Sequence, residues 1–374
     1  MSGPITSWSE QFPNLNTKGA YASAVYSYLS IIYDIPKEKK ITPDLVEKWE
    51  TLAARYLDEG RDPGKDLLQY ALALADRPPK TARQYLAAVK DWLAFHEKEI
   101  PAKDLRKLRQ KTPRGGAMTV ERDLDPAILR SILSHQDLKM RALTLLLVSS
   151  GMRIGEALRL TLDDVVLPEN EIGRISIRGE TSKNKNQRYT FCSNEAAAEI
   201  REWIKKRPVY LVSAQHRGKS LGITKNTEDP RLFPFSDNVA ETAWEASVRA
   251  AGLHSRDPGT GRLQIHPHML RKFFSSQMRL VVPIDVVEGL IGHSGYLSDA
   301  YRRYTKKQVQ EFYLKAEPYV TIQISDEVRE LQTTTEKRLT AQSVILEDLI
   351  RKDVKREKDL AELKNLVDVL KGLE

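Results

Sequence analysis

Cysteine is almost absent from this sequence, since Cys192 is the only one among 374 residues. A single cysteine excludes an internal disulfide bond and a cysteine-rich metal site, and it suits a reducing compartment. We interpret Cys192 as a small core residue.

No segment approaches the roughly 18 consecutive apolar residues of a membrane-spanning helix, and the N-terminal MSGPITSWSE lacks the basic-then-apolar pattern of a secretion signal. We therefore predict a globular, cytoplasmic protein.

The chain is long and basic. Its 59 lysine and arginine residues outnumber 51 acidic residues, which gives a formal charge of +8. Apolar residues make up 41% of the chain, enough to fill the cores of two or three domains. The positive excess favours a polyanionic partner such as nucleic acid, but charge alone leaves other partners open.

Residues 1–112 have the pattern of a small helical domain. Thr42 precedes the amphipathic stretch PDLVEKWETLAARYLDE as an N-cap. The following segment RKLRQKTPRGGAMTVER, residues 106–122, holds six basic residues and one acidic residue. Pro113 and the pair Gly115 and Gly116 break helices. We interpret this segment as a flexible basic linker that can follow a phosphate backbone, and we assign residues 113–124 as the linker between the two domains.

Residues 125–322 are predicted to form a second domain. Asp125 and Pro126 begin a helix, MRALTLLLVSSG indicates a helix buried on all sides, and GRISIRGETSKNKNQRYTFCS alternates around a polar turn as a β-hairpin does. The predicted class is therefore mainly α with a small β-hairpin or sheet.

The tail, residues 323–374, has a different pattern. Ten positions with alternating three- and four-residue spacing run from Leu339 to Leu370, and seven of them are apolar. Residues 326–374 carry 10 basic and 12 acidic residues, so the positive excess lies in the rest of the chain. The pattern predicts a helical, possible coiled-coil tail, which either packs on its own chain or mediates oligomerisation.

Polar residues able to bind a phosphate occur in several otherwise apolar settings. Each has an ordinary structural explanation, such as an ion pair between Arg153 and Glu156, solvated lysines in the hairpin turn, or a histidine that caps a helix. His268 and Arg271 in HPHMLRKFF are three residues apart and share a helix face. The candidates are Arg153, Lys183, Lys185, His268, Arg271, His293, Tyr301 and Tyr304.

Together, these residue types suit phosphoryl transfer. Two guanidinium and two imidazole groups can surround one phosphate, a tyrosine oxygen can attack phosphorus, and a lysine can protonate the departing hydroxyl. Such donors neutralise the developing charge without a metal ion or other cofactor. The alternative, a His266 and His268 metal pair, would need further ligands that the neighbouring sequence does not supply.

The ordered motifs GMRIGEAL, SKNKNQR, HPHMLRKFF and LIGHSG, followed by a tyrosine, resemble the catalytic domain of the tyrosine recombinases, the phage integrase and Xer family. The resemblance extends over residues 18–320 and makes the first domain similar to the family's core-binding domain. It implies a site-specific recombinase that cleaves and rejoins double-stranded DNA through a 3′-phosphotyrosyl intermediate, acting as a tetramer on DNA. A type IB-like topoisomerase and a non-catalytic DNA-binding protein are the alternatives.

The resemblance also implies roles for single residues. Arg153 matches the first catalytic arginine, and Lys183, five residues before Arg188, matches the hairpin lysine in preference to Lys185. His268 and Arg271 match the His-x-x-Arg pair, and His293 matches the second histidine. Glu156 would be a structural partner of the Arg153 turn, and His266 a flanking residue.

The nucleophile departs from the family's spacing. Family members often place it about nine residues after the second histidine. Tyr301 is eight residues after His293 and Tyr304 is eleven. Tyr301 is the preferred nucleophile and Tyr304 the alternative, while Tyr296 is too near and Tyr313 has a core-like setting.

Overall fold

The computed structural model describes residues 3–36, 42–181, 187–220, 226–293 and 304–323, together with residues 342, 349, 352 and 356. The described residues form two compact units. One comprises residues up to Val120 and the segment Arg256–Arg262, and the other comprises Glu121–Ser255 and the described residues from Leu263 onward. The predicted bounds at residues 112, 124 and 322 stay predictions.

The first unit is helical. Aromatic side chains fill its core, where Tyr28 lies edge-on to Tyr70 and close to Trp92. Thr42 Oγ1 accepts from the Leu45 backbone N–H, which confirms the predicted N-cap. Its helices are α1 (Pro4–Ser9), α2 (Leu15–Ile32), α3 (Pro43–Asp58), α4 (Pro63–Ala73), α5 (Pro79–Phe95) and α6 (Ala102–Lys111).

The prediction of a flexible linker from residue 106 is wrong in part. Residues 106–111 belong to α6, because Lys, Arg, Gln and Leu favour a helix and Leu108 is buried in the core. The helix ends before Pro113. The chain beyond it is held within the same unit, since the Val120 N–H donates to Asp257 at 3.0 Å and the Thr119 and Thr260 hydroxyls are 3.0 Å apart.

The second unit combines helices with a small sheet. Asp125 caps its first helix through a 2.7 Å bond to the Ile128 N–H, as predicted. The described helices are α7 (Pro126–Ser134), α8 (Leu138–Ser150), α9 (Ile154–Ala157), α10 (Asn194–Ser220), α11 (Asp237–Ala250), α12 (His268–Met278), α13 (Ile284–Ile291) and α14 (Lys306–Val320).

The predicted hairpin is confirmed and gains a short third strand. The antiparallel sheet has the order β1 (Val165–Val166), β2 (Gly173–Ile177) and β3 (Arg188–Cys192). Gly173 pairs with Cys192 and Ile177 with Arg188. Cys192 is fully buried, and burial raises the pKa of its thiol to about 12, in agreement with its predicted core role. Residues 182–186 of the turn lie outside the described residues.

Helix α8 is the centre of the second unit. Its apolar side chains are buried around its circumference, as predicted. The helix ends at Gly151, whose φ of +64° is a conformation that glycine adopts without strain. A Cβ at this position would overlap the ring of Phe274 on α12. Gly151 therefore allows α12 to pack closely against the end of α8.

A smaller apolar cluster joins α12, α13, α14 and the sheet. Tyr313 on α14 is fully buried there, and its hydroxyl donates to the Ser149 carbonyl oxygen at 2.6 Å. Its core interpretation is confirmed. The predicted tail lies outside the described residues except for Gln323, Gln342, Leu349, Lys352 and Arg356. Within the part that the structure describes, no helix is long and apolar enough to cross a membrane.

Candidate catalytic site

Arg153 is held at the turn between α8 and α9. Its backbone N–H donates to Glu156 Oε2 at 3.0 Å, and its Nη1 donates to Glu156 Oε1 at 3.1 Å. The Arg153 side chain is 26% exposed, whereas the Glu156 side chain is 1% exposed. The structural role predicted for Glu156 therefore has a geometric basis. The carboxylate holds both the backbone and the guanidinium of Arg153, while part of the Arg153 side chain stays exposed to solvent.

A second arginine, Arg188, binds the same carboxylate. Arg188 lies at the start of β3, and its Nη2 donates to Glu156 Oε2 at 2.6 Å. Its Nε donates to the Leu290 carbonyl oxygen of α13 at 3.2 Å. Desolvation raises the pKa of Glu156, but the hydrogen bond and charge of Arg188 and the contact with Arg153 outweigh that effect and lower it. Glu156 is therefore an anion that links α9 to β3, and Arg188 extends this connection to α13.

In the sequence, Arg188 served only as the reference position that distinguishes Lys183 from Lys185. Its contact with Glu156 was not predicted. The strand alternation does indicate that Arg188 is buried. Alternate residues of a strand point to the same face, so Arg188 faces the core together with Thr190 and Cys192. A charged residue at an inward position of a strand requires a buried partner of opposite charge. The identity of that partner, 32 residues away in the chain, does not follow from the alternation.

Arg271 is the most deeply buried cation among the candidates that the structure describes. It is 5% exposed, and its Nη1 donates to the Gly151 carbonyl oxygen at 2.7 Å. Its buried Nη2 has no hydrogen-bond partner among the described residues. Burial, and next the nearby Arg153, lower the pKa of Arg271 to about 10, which still leaves it charged at neutral pH. A buried charged donor without a partner is costly unless an anion binds it.

His268 lies at the start of α12, one helical turn before Arg271. It is exposed, yet desolvation by the surrounding protein lowers its pKa, and the positive charges of Arg271, His266 and Lys272 lower it further. The surroundings therefore favour the neutral imidazole. Such a ring can accept one proton and donate another.

His266 has the flanking position that the sequence predicted. Its ring is nearly parallel to that of His268, with centroids 6.4 Å apart. Its Nε2 contacts Glu121 Oε1 at 3.2 Å, and Lys272 Nζ contacts the other oxygen of the same carboxylate. Sequence reasoning assigned Glu121 to the linker and missed this contact. Among the described residues, no group of three or more His, Cys, Asp or Glu side chains could hold a metal ion.

His293 follows the end of α13. The helix ends at Gly292 with φ +71°, and the His293 Nδ1 lies 2.6 Å from Glu288 Oε2. A Cβ on Gly292 would lie 2.7 Å from the Arg188 guanidinium carbon. Glycine is therefore required here both for its backbone conformation and for the close approach of Arg188.

The remaining candidates are only partly described. Lys183, Lys185 and Tyr301 lie outside the described residues. Tyr304 is half-buried just before the N-cap of α14, and its ring lies edge-on to Phe312 with centroids 5.1 Å apart. The choices of Lys183 over Lys185 and of Tyr301 over Tyr304 stay predictions.

Comparison with known proteins identifies the family. The model of the phage integrase family matches residues 119–311, more than half of the 374-residue chain. The chain therefore belongs to the phage integrase family, and the predicted family is confirmed. The matched region contains all the candidate residues of the site.

Individual relatives agree with this assignment. The chain is 32% identical over 191 residues to tyrosine recombinase XerD of Corynebacterium glutamicum, covering 50% of this chain and 55% of the relative. It is 25% identical to XerC of Psychromonas ingrahamii over 46% of this chain and 51% of the relative. The chain thus spans about half the length of these two relatives. XerC of Alcanivorax borkumensis is 23% identical over 70% of this chain and 83% of its own length.

Two solved structures illustrate the similarity of the chain to known folds. The XerH site-specific recombinase bound to its difH substrate has a TM-score of 0.45 and 18% identity, covering 72% of this chain and 76% of that protein. A lambda integrase tetramer bound to a Holliday junction has a TM-score of 0.44 and 14% identity, covering 76% and 79%.

Proposed function

We propose that this protein is a site-specific DNA recombinase that cleaves and rejoins DNA through a 3′-phosphotyrosyl intermediate. The observation that carries the proposal is the buried Arg271, whose Nη2 has no partner among the described residues. Arg153 is a second, partly open guanidinium, and its charge is close enough to lower the pKa of Arg271. Two cations with free donor capacity form a site for an anion such as a DNA phosphate.

Each candidate residue has a separate role in the proposed cleavage of DNA. Arg153 and Arg271 bind the non-bridging phosphate oxygens, and His268 and His293 complete the set of polar groups around the phosphate. The oxygen of Tyr301, with Tyr304 as the alternative, attacks phosphorus and gives its proton to the neutral imidazole of His268. The bond from phosphorus to the 5′ oxygen breaks, and Lys183 donates a proton to that oxygen. The free 5′-hydroxyl of a partner strand reverses the step.

The partner of this site is double-stranded DNA. The net charge of +8 favours a polyanion, and the basic residues of α6 extend the positive character into the first unit. Because strand exchange joins two duplexes, four active sites are required, and we propose a homotetramer on DNA. The predicted helical tail would support this assembly.

Trapping of a covalent adduct tests the function. The substrate is a nicked duplex that carries the target site recovered from the DNA flanking the coding sequence, and the readout is a denaturing gel. We expect an adduct with the wild type and Tyr304→Phe and none with Tyr301→Phe. The control Tyr296→Phe removes a hydroxyl from the same segment and should retain the adduct.

The other outcomes are equally informative. Loss of the adduct only in Tyr304→Phe would keep the function and change the nucleophile. Absence of an adduct with every variant, on DNA that the protein binds, would refute the enzymatic proposal and leave a DNA-binding protein. Relaxation of a single supercoiled duplex without joined products would indicate a topoisomerase instead.

A further inference from the structure

We propose that Glu288 is a positioning residue that orients His293 toward the scissile phosphate. This inference rests on the proposed recombinase function and adds a residue to its site. Glu288 would act through the histidine and would not touch DNA. The carboxylate would bind Nδ1 of the imidazole and leave Nε2 as the nitrogen that faces the phosphate.

The contact is short and local. Glu288 Oε2 lies 2.6 Å from His293 Nδ1, and the His293 backbone N–H donates to the Glu288 carbonyl oxygen at 3.1 Å. The His293 side chain is 51% exposed, whereas that of Glu288 is 20% exposed. An imidazole with so much exposed surface would otherwise sample several rotamers. The carboxylate therefore selects one ring orientation before DNA binds.

Glu288 is itself anchored by α12. Its second oxygen, Oε1, contacts the guanidinium of Arg279 at the C-terminal end of that helix. The same helix carries His268 and Arg271. Through this pair of contacts, the carboxylate connects the orientation of His293 to the helix that carries the other predicted phosphate ligands.

The two histidines of the site have opposite electrostatic surroundings. Arg271, His266 and Lys272 lower the pKa of His268 after desolvation, whereas a carboxylate contacts His293 directly. When a phosphate binds Nε2, the His293 ring lies between two anions. The Glu288 contact at Nδ1 thus leaves Nε2 of His293 as the nitrogen available to the phosphate, whereas positive charges surround His268.

Single-turnover cleavage of the nicked duplex, at saturating DNA, tests this role. We expect Glu288→Ala to cleave about tenfold more slowly, as is typical when the partner that orients a functional histidine is removed, with unchanged DNA affinity. Glu288→Gln keeps an oxygen acceptor and should recover part of the rate. Asp285→Asn, on the same helix, is the matched control and should cleave at the wild-type rate.

A double-mutant cycle separates positioning from a general structural effect. If Glu288 acts through His293, Glu288→Ala should cause no further loss in a His293→Ala background. The ¹⁵N spectrum of the His293 ring in the full chain gives a readout without catalysis, with its signals assigned by the His293→Ala variant. We expect a protonated Nδ1 in the wild type and a loss of that preference in Glu288→Ala.

The outcomes are distinct. Equal cleavage rates for Glu288→Ala and the wild type, or an equal loss in the His293→Ala background, would overturn the positioning role while the recombinase function stands. A wild-type spectrum with an unprotonated Nδ1 would also overturn it. Absence of a wild-type adduct would refute the recombinase function, and the role of Glu288 with it.

Discussion

Replacement of Glu156 by alanine should strongly destabilise the second unit. Glu156 and Arg188 have side chains only 1% and 5% exposed, so the substitution leaves a buried guanidinium without its carboxylate. Breaking a buried ion pair by removing one partner costs about 3–5 kcal/mol. The loss of the acceptor for the Arg153 N–H adds to this cost. We therefore expect a decrease near the upper end of that range in the free energy of unfolding.

The same carboxylate should make stability depend on pH. The net effect of its surroundings lowers the pKa of Glu156 from the ordinary value of 4.5. A carboxyl whose pKa is lower in the folded state contributes its full stabilisation above the unfolded value and loses it as the pH falls through the folded value. Below pH 4.5, the wild type should therefore lose more stability than Glu156→Gln, whose side chain does not titrate.

Urea denaturation followed by tryptophan fluorescence measures both effects. Trp203 and Trp244 report on the second unit, and peptide-level hydrogen exchange assigns the transition to that unit. The matched control is Glu202→Ala, which removes the ion pair between Glu202 and Lys205, whose side chains are 54% and 68% exposed. Because water solvates both charges, this substitution should change the stability little. Similar losses for Glu156→Ala and Glu202→Ala would refute the buried-pair argument. Glu156→Ala with Arg188→Met should recover much of the lost stability.

Two further predictions concern packing and assembly. Gly151→Ala should cost about 2–5 kcal/mol in unfolding free energy, because it combines positive-φ strain with overlap on Phe274. Gly252→Ala, with φ +70° and no heavy atom within 4 Å of the added Cβ, carries the strain alone, so equal costs in urea denaturation would contradict the overlap. Deletion of residues 326–374 should reduce cooperative DNA binding in a gel-shift titration, and unchanged cooperativity would argue against a role of the tail in assembly.

Local patterns in the sequence were sufficient to predict much of the fold. Asp125 and Thr42 cap the helices that they precede, and the alternation around residues 178–187 gives the hairpin. The prediction of a flexible linker from residue 106 was partly wrong, because it gave more weight to charge density than to helix propensity. Residues 106–111 are strongly basic and are also good helix formers, and only Pro113 marks the true end of α6.

Motifs predicted the candidate site residues and the nearby Glu156, but not the partners that are distant in the chain. Arg153, His268, Arg271 and His293 lie in short segments with a recognisable order. Arg188 contacts a carboxylate 32 residues away, and Glu121 contacts His266 across 145 residues. Periodicity describes neighbours along a helix or strand. It carries no information about pairs that meet only after the elements have packed.

The candidate residues of the site differ in the partners that hold them. Glu156 contacts Arg153, and Glu288 contacts His293. Each of these two groups therefore has a carboxylate partner within the protein. Within the described part of the chain, Arg271 has the neutral Gly151 carbonyl as its hydrogen-bond acceptor, which fixes the guanidinium through Nη1. Its buried Nη2 has no acceptor among those residues. Because a bound phosphate oxygen would supply both the acceptor and the charge that this group lacks, DNA binding should stabilise the second unit most strongly at Arg271.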